Sequence, residues 1–270
     1  MSVRIAHLSD LHFGRIDTRV LEGLRSSLDS LAPDTVLISG DLTQRARHRE
    51  FEAAAEFVQA LPFPTLIVPG NHDLSGDNLP ERFLDPWRKW RRHFGPELLP
   101  ELRLPGLHVL GINTARRAGW SLDWSRGRIN AAQMAHIERV FQDTADRTLR
   151  VLVAHHPFWI PPPQARRGLV GRHATAIDSL QRARVDLILG GHIHREYSRT
   201  RAGIIISQAG TSSSTRRIPG HPNSFNLIEG TTAGITLRTL TWETDRFSPG
   251  QRVHYRRTDD QAPWTTADDN

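Results

Sequence analysis

Five short polar segments constrain this chain more than anything else in it. They are Asp10-x-His12, Gly40-Asp41, Gly70-Asn71-His72-Asp73, His155-His156-Pro157 and Gly190-Gly191-His192-Ile193-His194. Each follows an apolar, β-branched run, so each is predicted to sit where a strand ends. A fold that satisfies all five must end several strands on one edge, the place where open sheets gather their ligands. The residue types are Asp, His and Asn, the oxygen and nitrogen donors that hold pairs of divalent cations for hydrolysis.

The rest of the pattern supports an α/β chain. Strands are predicted over Val3–Ser9, Thr35–Ser39, Thr65–Val68, Leu107–Ile112, Val151–Ala154 and Val185–Leu189. Between them, Asp17-Thr18 caps an amphipathic run through Leu31, and Phe51, Ala54, Ala55 and Val58 give Arg45–Leu61 helical spacing. Leu79–Gly95 is a basic helical segment in which Trp87, Trp90 and Phe94 pack. Asn130 with Gln133 makes a capping box for a helix to about Arg147, and another helix runs from about Ala174 to Arg184. After residue 200 the alternation stops. Ile204–Gln208, Ser224–Ile228, Ile235–Trp242 and Arg252–Arg256 read as a meander. The expectation is two facing mixed β-sheets flanked by helices, an αββα sandwich, formed by a single domain over residues 1–258, with 259–270 a loose tail.

Composition bounds the partners. The 270 residues suffice for one substantial core, and the absence of cysteine excludes disulfides and thiolate-bound zinc. The opening Met-Ser-Val-Arg-Ile-Ala-His-Leu-Ser-Asp enters a strand at once, so no signal peptide is expected, and no apolar run approaches membrane-spanning length. The cytoplasm is the expected compartment. A net charge of +6 admits nucleic acid as a partner, but the arginines are spread along the chain and Lys89 is the sole lysine. A small phosphoester substrate is the preferred reading.

Each polar segment has its chemistry. Strand alternation is predicted to put Asp10 and His12 on one side, able to chelate one ion. The two carboxylate oxygens of Asp41 can bridge two ions. Asn71 offers a neutral carbonyl oxygen. His72 is expected to face substrate, stabilising phosphoryl oxygens or protonating a leaving alkoxide, with Asp73 orienting its ring. His155, His192 and His194 end two further strands.

These residues, in this order, resemble the calcineurin-like metallophosphoesterase superfamily, and the resemblance spans Asp10 to His194. It implies that Asp10, His12, Asp41 and His194 hold one metal ion and that Asp41, Asn71, His155 and His192 hold the other. The ions would be divalent or mixed-valence Mn, Fe or Zn, with a bridging hydroxide as nucleophile and His72 as acid or stabiliser. It also implies that His156 faces substrate or supports a ligand. The chain lacks the tyrosine that purple acid phosphatases carry after Asp41. It has Asp73 where serine/threonine protein phosphatases have Glu, and His72 where the UDP-diacylglucosamine hydrolases have Arg. The nearest group is the bacterial one resembling class III cyclic-nucleotide phosphodiesterases. Its function would be phosphodiester hydrolysis, with 3',5'-cyclic nucleotides among the implied substrates. A DNA exonuclease of the double-strand-break repair type and a non-catalytic scaffold on the same fold rank below it. Arg216, with Arg217, and Arg116, with Arg117, are read as solvated loop residues or, alternatively, phosphate clamps.

Overall fold

The apolar runs fold as continuous strands because both of their faces are covered. The computed structural model describes residues 1–118, 125–161 and 168–267. In chain order the first half comprises β1 (Val3–Leu8), α1 (Thr18–Leu31), β2 (Thr35–Ile38), α2 (His48–Gln59), β3 (Thr65–Ile67), α3 (Leu79–Leu84), α4 (Arg88–Phe94), β4 (Glu101–Leu104) and β5 (Leu107–Ile112). It continues with α5 (Ala131–Gln142), β6 (Leu149–Ala154), α6 (His173–Arg182), β7 (Leu187–Gly190), β8 (Tyr197–Arg201) and β9 (Ile204–Gln208). The chain closes with β10 (Ser224–Gly230), β11 (Gly234–Glu243), β12 (Arg246–Arg256) and β13 (Thr265–Thr266).

Two mixed sheets result, ordered β13-β12-β11-β10-β1-β2-β3 and β4-β5-β6-β7-β9-β8. Strands β1, β2 and β3 run parallel, as do β5, β6, β7 and β9. Alternate side chains divide the core. Ile5, Leu37, Val109, Val151, Val153 and Leu189 meet between the sheets. Ala6, Leu8 and Ile38 pack outward on Val20, Leu24, Leu28, Phe51 and Phe57 of α1 and α2. On the far side, Leu110, Leu152 and Ile188 pack on Ile137, Phe141, Ala176 and Leu180 of α5 and α6. This is the expected αββα sandwich. Asp17 caps α1 as the sequence indicates, accepting from the N–H groups of Arg19 and Val20.

The differences have local causes. The Leu79–Gly95 segment divides at Asp85-Pro86, because Pro86 has no N–H to continue a helix. The edge strands β4 and β8 went unseen, since their charged, half-exposed sequences Glu-Leu-Arg-Leu and Tyr-Ser-Arg-Thr-Arg carry little apolar signal. The segment from 259, read as a loose tail, is tied down through residue 267. Trp264 is buried and donates its indole N–H to Asp186 at 3.0 Å, and Thr265–Thr266 pairs with β12. No helix among the described residues is long and apolar enough to cross a membrane.

Candidate metal centre

The C-terminal ends of β1, β2 and β3 in one sheet and of β6 and β7 in the other open on the same edge. The residues immediately beyond them are the five polar segments. Strand alternation is not what aims Asp10 and His12, because β1 ends at Leu8. Both residues lie in the left-handed region, with φ of 52° and 51°, as do Asp41, His192 and His194 at 53°, 75° and 54°. Five non-glycine donors in that region cost about 1–3 kcal/mol each, strain that folding tolerates only where surrounding structure enforces it. Backbone bonds do enforce it: Asp10 N–H donates to Gly40 O at 3.1 Å and His12 N–H to Asp41 O at 2.9 Å. Gly40 is required at its position, since its φ is +97° and a Cβ there would lie 2.8 Å from His155 Nδ1.

Outer hydrogen bonds then set which atoms point inward. His12 Nδ1–H donates to Thr43 O at 3.3 Å, His155 Nδ1–H to Ser39 O at 2.8 Å, and His194 Nδ1–H to Arg216 O at 2.9 Å. A carbonyl can only accept, so each ring keeps a proton on Nδ1 and turns its Nε2 into the cluster. There the donors crowd. His194 Nε2 is 3.2 Å from both His12 Nε2 and Asp10 Oδ1, and His155 Nε2 is 3.3 Å from Asp41 Oδ2 and 3.2 Å from Asn71 Oδ1. Asn71 Oδ1 also lies 2.9 Å from His192 Nδ1. Asp10 uses Oδ2 to accept from Ser9 Oγ and His192 N, while its Oδ1 is buried with no hydrogen-bond partner.

Lone pairs at such separations repel one another unless a cation or a proton stands between them. Ligands about 2.0–2.2 Å from an ion lie about 3.0–3.6 Å apart, which is the spacing found. Asp10, His12, Asp41 and His194 offer donor atoms all within 4.8 Å of one another. Asp41 faces both groups, with Oδ2 3.3 Å from His155 and 3.9 Å from His12. The residues therefore fit a pair of cations.

The electrostatics agree. Burial pulls His155 down, but Asp41 and Asp10 override it and hold the ring up at about 9. Burial likewise opposes a charge on His194, and Asp10 raises it. Without a cation the cluster collects protons in its place. Burial lowers His12 and His192 to about 4, keeping them neutral and ready to ligate.

Two expectations need correction. Asp73 does not touch the ring of His72. Its carboxylate accepts from Gly70 N (2.8 Å), Thr43 N (2.8 Å), Thr43 Oγ1 (2.9 Å) and Leu42 N (3.3 Å), stapling the segment after β3 to the one after β2. Burial and the charge of Asp41 push that carboxyl up to about 7, against these donors. The His72 ring is held instead by Gln44, whose carbonyl accepts from Nδ1 at 2.8 Å. His156 does not face substrate. It is fully buried, Nδ1 accepting from Thr114 Oγ1 at 2.8 Å and Nε2 donating to Ser125 O at 2.7 Å, so neither nitrogen is free.

The two arginines differ. Arg216 reaches the His72 ring. Arg116 instead lines a separate cavity with Asn113, Arg128 and Gln133, outside the ligand cluster. Beside the cluster, a cleft of about 440 Å³ is lined by Gln44, Arg45, Asn71, His72, Asp77, Arg82 and Ser125. Arg82 braces it, donating to the carbonyls of Ser75, Arg116 and Arg117. Sequence reasoning missed Gln44, Arg45 and Arg82. Gln44 and Arg45 had only their nearness to Asp41 to mark them, and Arg82 sits among many arginines.

Fold and donor set together define a metal-dependent phosphoester hydrolase. The chain belongs to the calcineurin-like phosphoesterase family, whose model matches residues 3–196. Among curated proteins it is similar to a probable glycerophosphodiester phosphodiesterase, GpdQ, of Arcobacter nitrofigilis, with 25% identity over 227 residues, 83% of this chain and 73% of that one. It is also similar to the 3',5'-cyclic adenosine monophosphate phosphodiesterase CpdA of Escherichia coli, with 22% identity, 72% of this chain and 70% of that one. A 36% identical match to the GpdQ of Enterobacter lignolyticus spans 85 residues, 26% of this chain and only 29% of that protein's length. Among solved structures, a dimetal phosphatase from Danio rerio superposes with a TM-score of 0.66 at 12% identity, covering 93% of this chain and 98% of the other, a likeness of fold.

Proposed function

We propose that the chain hydrolyses small phosphodiesters at this centre. Asp10, His12, Asp41 and His194 would hold one cation, and Asp41, Asn71, His155 and His192 the other. The observation that carries the reading is the ring of inward-facing nitrogen and carboxylate atoms shared through Asp41. Two divalent ions there supply Lewis acidity toward phosphoryl oxygens and hydroxide near neutral pH. In the overall reaction the oxygen of water bonds to phosphorus, the P–O bond to one ester group breaks, and that group leaves as its alcohol with a proton from the water.

The oxygen and nitrogen donors suit Mn, Fe or Zn. The names of the relatives direct the substrate choice to glycerophosphodiesters and 3',5'-cyclic nucleotides, and the cleft beside Asn71 and His72 is of a size for either leaving group. Protein reconstituted with Mn²⁺, Fe²⁺ or Zn²⁺ and offered bis(p-nitrophenyl) phosphate, glycerophosphodiesters, cyclic AMP and linear duplex DNA tests this. Turnover of the small diesters is expected. Turnover of none of them by any metallated preparation refutes the proposal, and degradation of DNA alone replaces it with a nuclease.

A further inference from the structure

The expected job of His72 was to bring positive charge or a proton to the phosphoryl group. Its surroundings point elsewhere. Nδ1–H is committed to Gln44 O at 2.8 Å. The guanidinium of Arg216 stands against the same ring, with Nη1 within hydrogen-bond reach of Nε2 and 3.4 Å from Nδ1. The two distances put Nη1 over the ring rather than at its edge, so Arg216 lays a permanent positive charge against the face of His72. The charge that His72 was expected to provide is delivered at that spot by Arg216.

Arg216 is also fixed to the metal ligands by its backbone. Its carbonyl accepts from His194 Nδ1 at 2.9 Å and its N–H donates to Ser214 Oγ at 3.0 Å. The loop that carries it is bonded to the end of β1, with Ser212 N–H donating to Ser9 O at 3.0 Å and Ser9 N–H to Ser212 Oγ at 3.1 Å. His72 itself is anchored through its N–H to Asp41 Oδ1 at 2.8 Å, and with Asn71 it lines the cleft. Both ends of the Arg216–His72 contact are therefore referred to the ligand cluster.

We propose that Arg216 is a catalytic residue: its guanidinium binds the non-bridging oxygens of the scissile phosphodiester, and the His72 ring positions it. The planar fork of arginine matches two phosphoryl oxygens at once, where a single ring nitrogen could meet only one. This rests on the phosphodiesterase reading above and assigns a residue role within it.

The test compares Arg216→Ala, Arg216→Lys and His72→Gln with the parent protein, all loaded with Mn²⁺, on bis(p-nitrophenyl) phosphate and on a glycerophosphodiester, both of whose ester groups are poor alkyl leaving groups. Loss of a preorganised charge donor predicts that Arg216→Ala lowers kcat about 10²–10³-fold, by the same factor for aryl and alkyl leaving groups. Added guanidinium ion or the Lys variant restores part of it. Bound Mn²⁺ stays at the parent level, because the carbonyl that orients His194 belongs to the backbone. His72→Gln, which removes the ring that positions the guanidinium, lowers kcat on both substrates. Arg216→Ala within threefold of the parent overturns the proposal. So does loss of activity accompanied by loss of Mn²⁺, loss that neither guanidinium nor Lys repairs, or a His72→Gln variant as active as the parent. A parent protein that hydrolyses no phosphodiester refutes the underlying reading instead.

Discussion

Asp73→Asn separates a staple from a catalytic carboxylate. Asp73 Oδ1 accepts from Thr43 N and Oγ1, and Oδ2 from Gly70 N and Leu42 N. An amide of the same shape keeps one oxygen and puts an NH2 group where the other was. Facing Oδ2, that NH2 meets two backbone N–H groups. Facing Oδ1, it meets one, since the Thr43 hydroxyl can turn to accept while still donating to His72 O at 3.0 Å. The better choice leaves a single buried N–H unsatisfied, a cost of about 1–3 kcal/mol. For a chain of this size each kcal/mol moves the melting temperature by about 2–4 °C, giving a fall of about 2–12 °C. The segments it joins carry Asp41 and Asn71, so metal affinity falls with stability. The assay is differential scanning calorimetry, with bound metal and kcat measured on the same samples. Activity per bound metal pair is expected within threefold of the parent. An unchanged melting temperature with a hundredfold lower kcat at full metal content would refute this reasoning and return Asp73 to a direct role at His72.

Three other perturbations have definite outcomes. Asp41→Ala removes a donor from both ligand sets and leaves neither ion bound at stoichiometric supply, whereas Asn71→Ala leaves one, as counted by plasma mass spectrometry; equal losses from both would contradict the assignment of Asp41 as the shared residue. Asp186→Ala leaves the guanidinium of Arg257, its partner at 2.6 Å with a side chain only 5% exposed, buried without that partner; a loss of about 3–5 kcal/mol is expected in urea unfolding with kcat preserved, and a change under 1 kcal/mol contradicts it. The raised pKa of His155, about 9 against an ordinary 6.5, stabilises the cation-free fold fully below pH 6.5, and that contribution disappears as pH rises through 9. Metal must expel this proton, so apparent affinity climbs between those values and binding at pH 7.5 releases protons, read by titration calorimetry in buffers of different ionisation heat; identical heats in all buffers contradict it.

The clustering of these donors was legible because catalysis by paired cations demands donor types that are otherwise scarce at the ends of apolar strands. Asp10, Asp41, Asn71, His155, His192 and His194 all follow such runs, and the two sheets carry those runs to one edge. Their aim was not legible. Period-two alternation put Asp10 and His12 on one side for a reason the backbone does not use, since positive φ, enforced by bonds to Gly40 and Asp41, turns them. Hydrogen-bond partners far apart in sequence were equally hidden. Nothing local links Gln44 to the ring of His72, Arg216 to His194 over 22 positions, or Ser125 to His156 over 31. Edge strands such as β4 carry their reason for existing in the neighbour they pair with, and Trp264 is buried in the core between the sheets, its indole N–H held by Asp186 just before β7.

The central claim is that scattered donors grip two cations through one shared carboxylate, and electron paramagnetic resonance of the Mn²⁺-loaded protein addresses it most directly. A bridged pair gives an exchange-coupled spectrum that appears with the second equivalent of metal and vanishes in Asp41→Ala. Signals of isolated, uncoupled Mn²⁺ at full loading, unchanged by that substitution, would contradict the account.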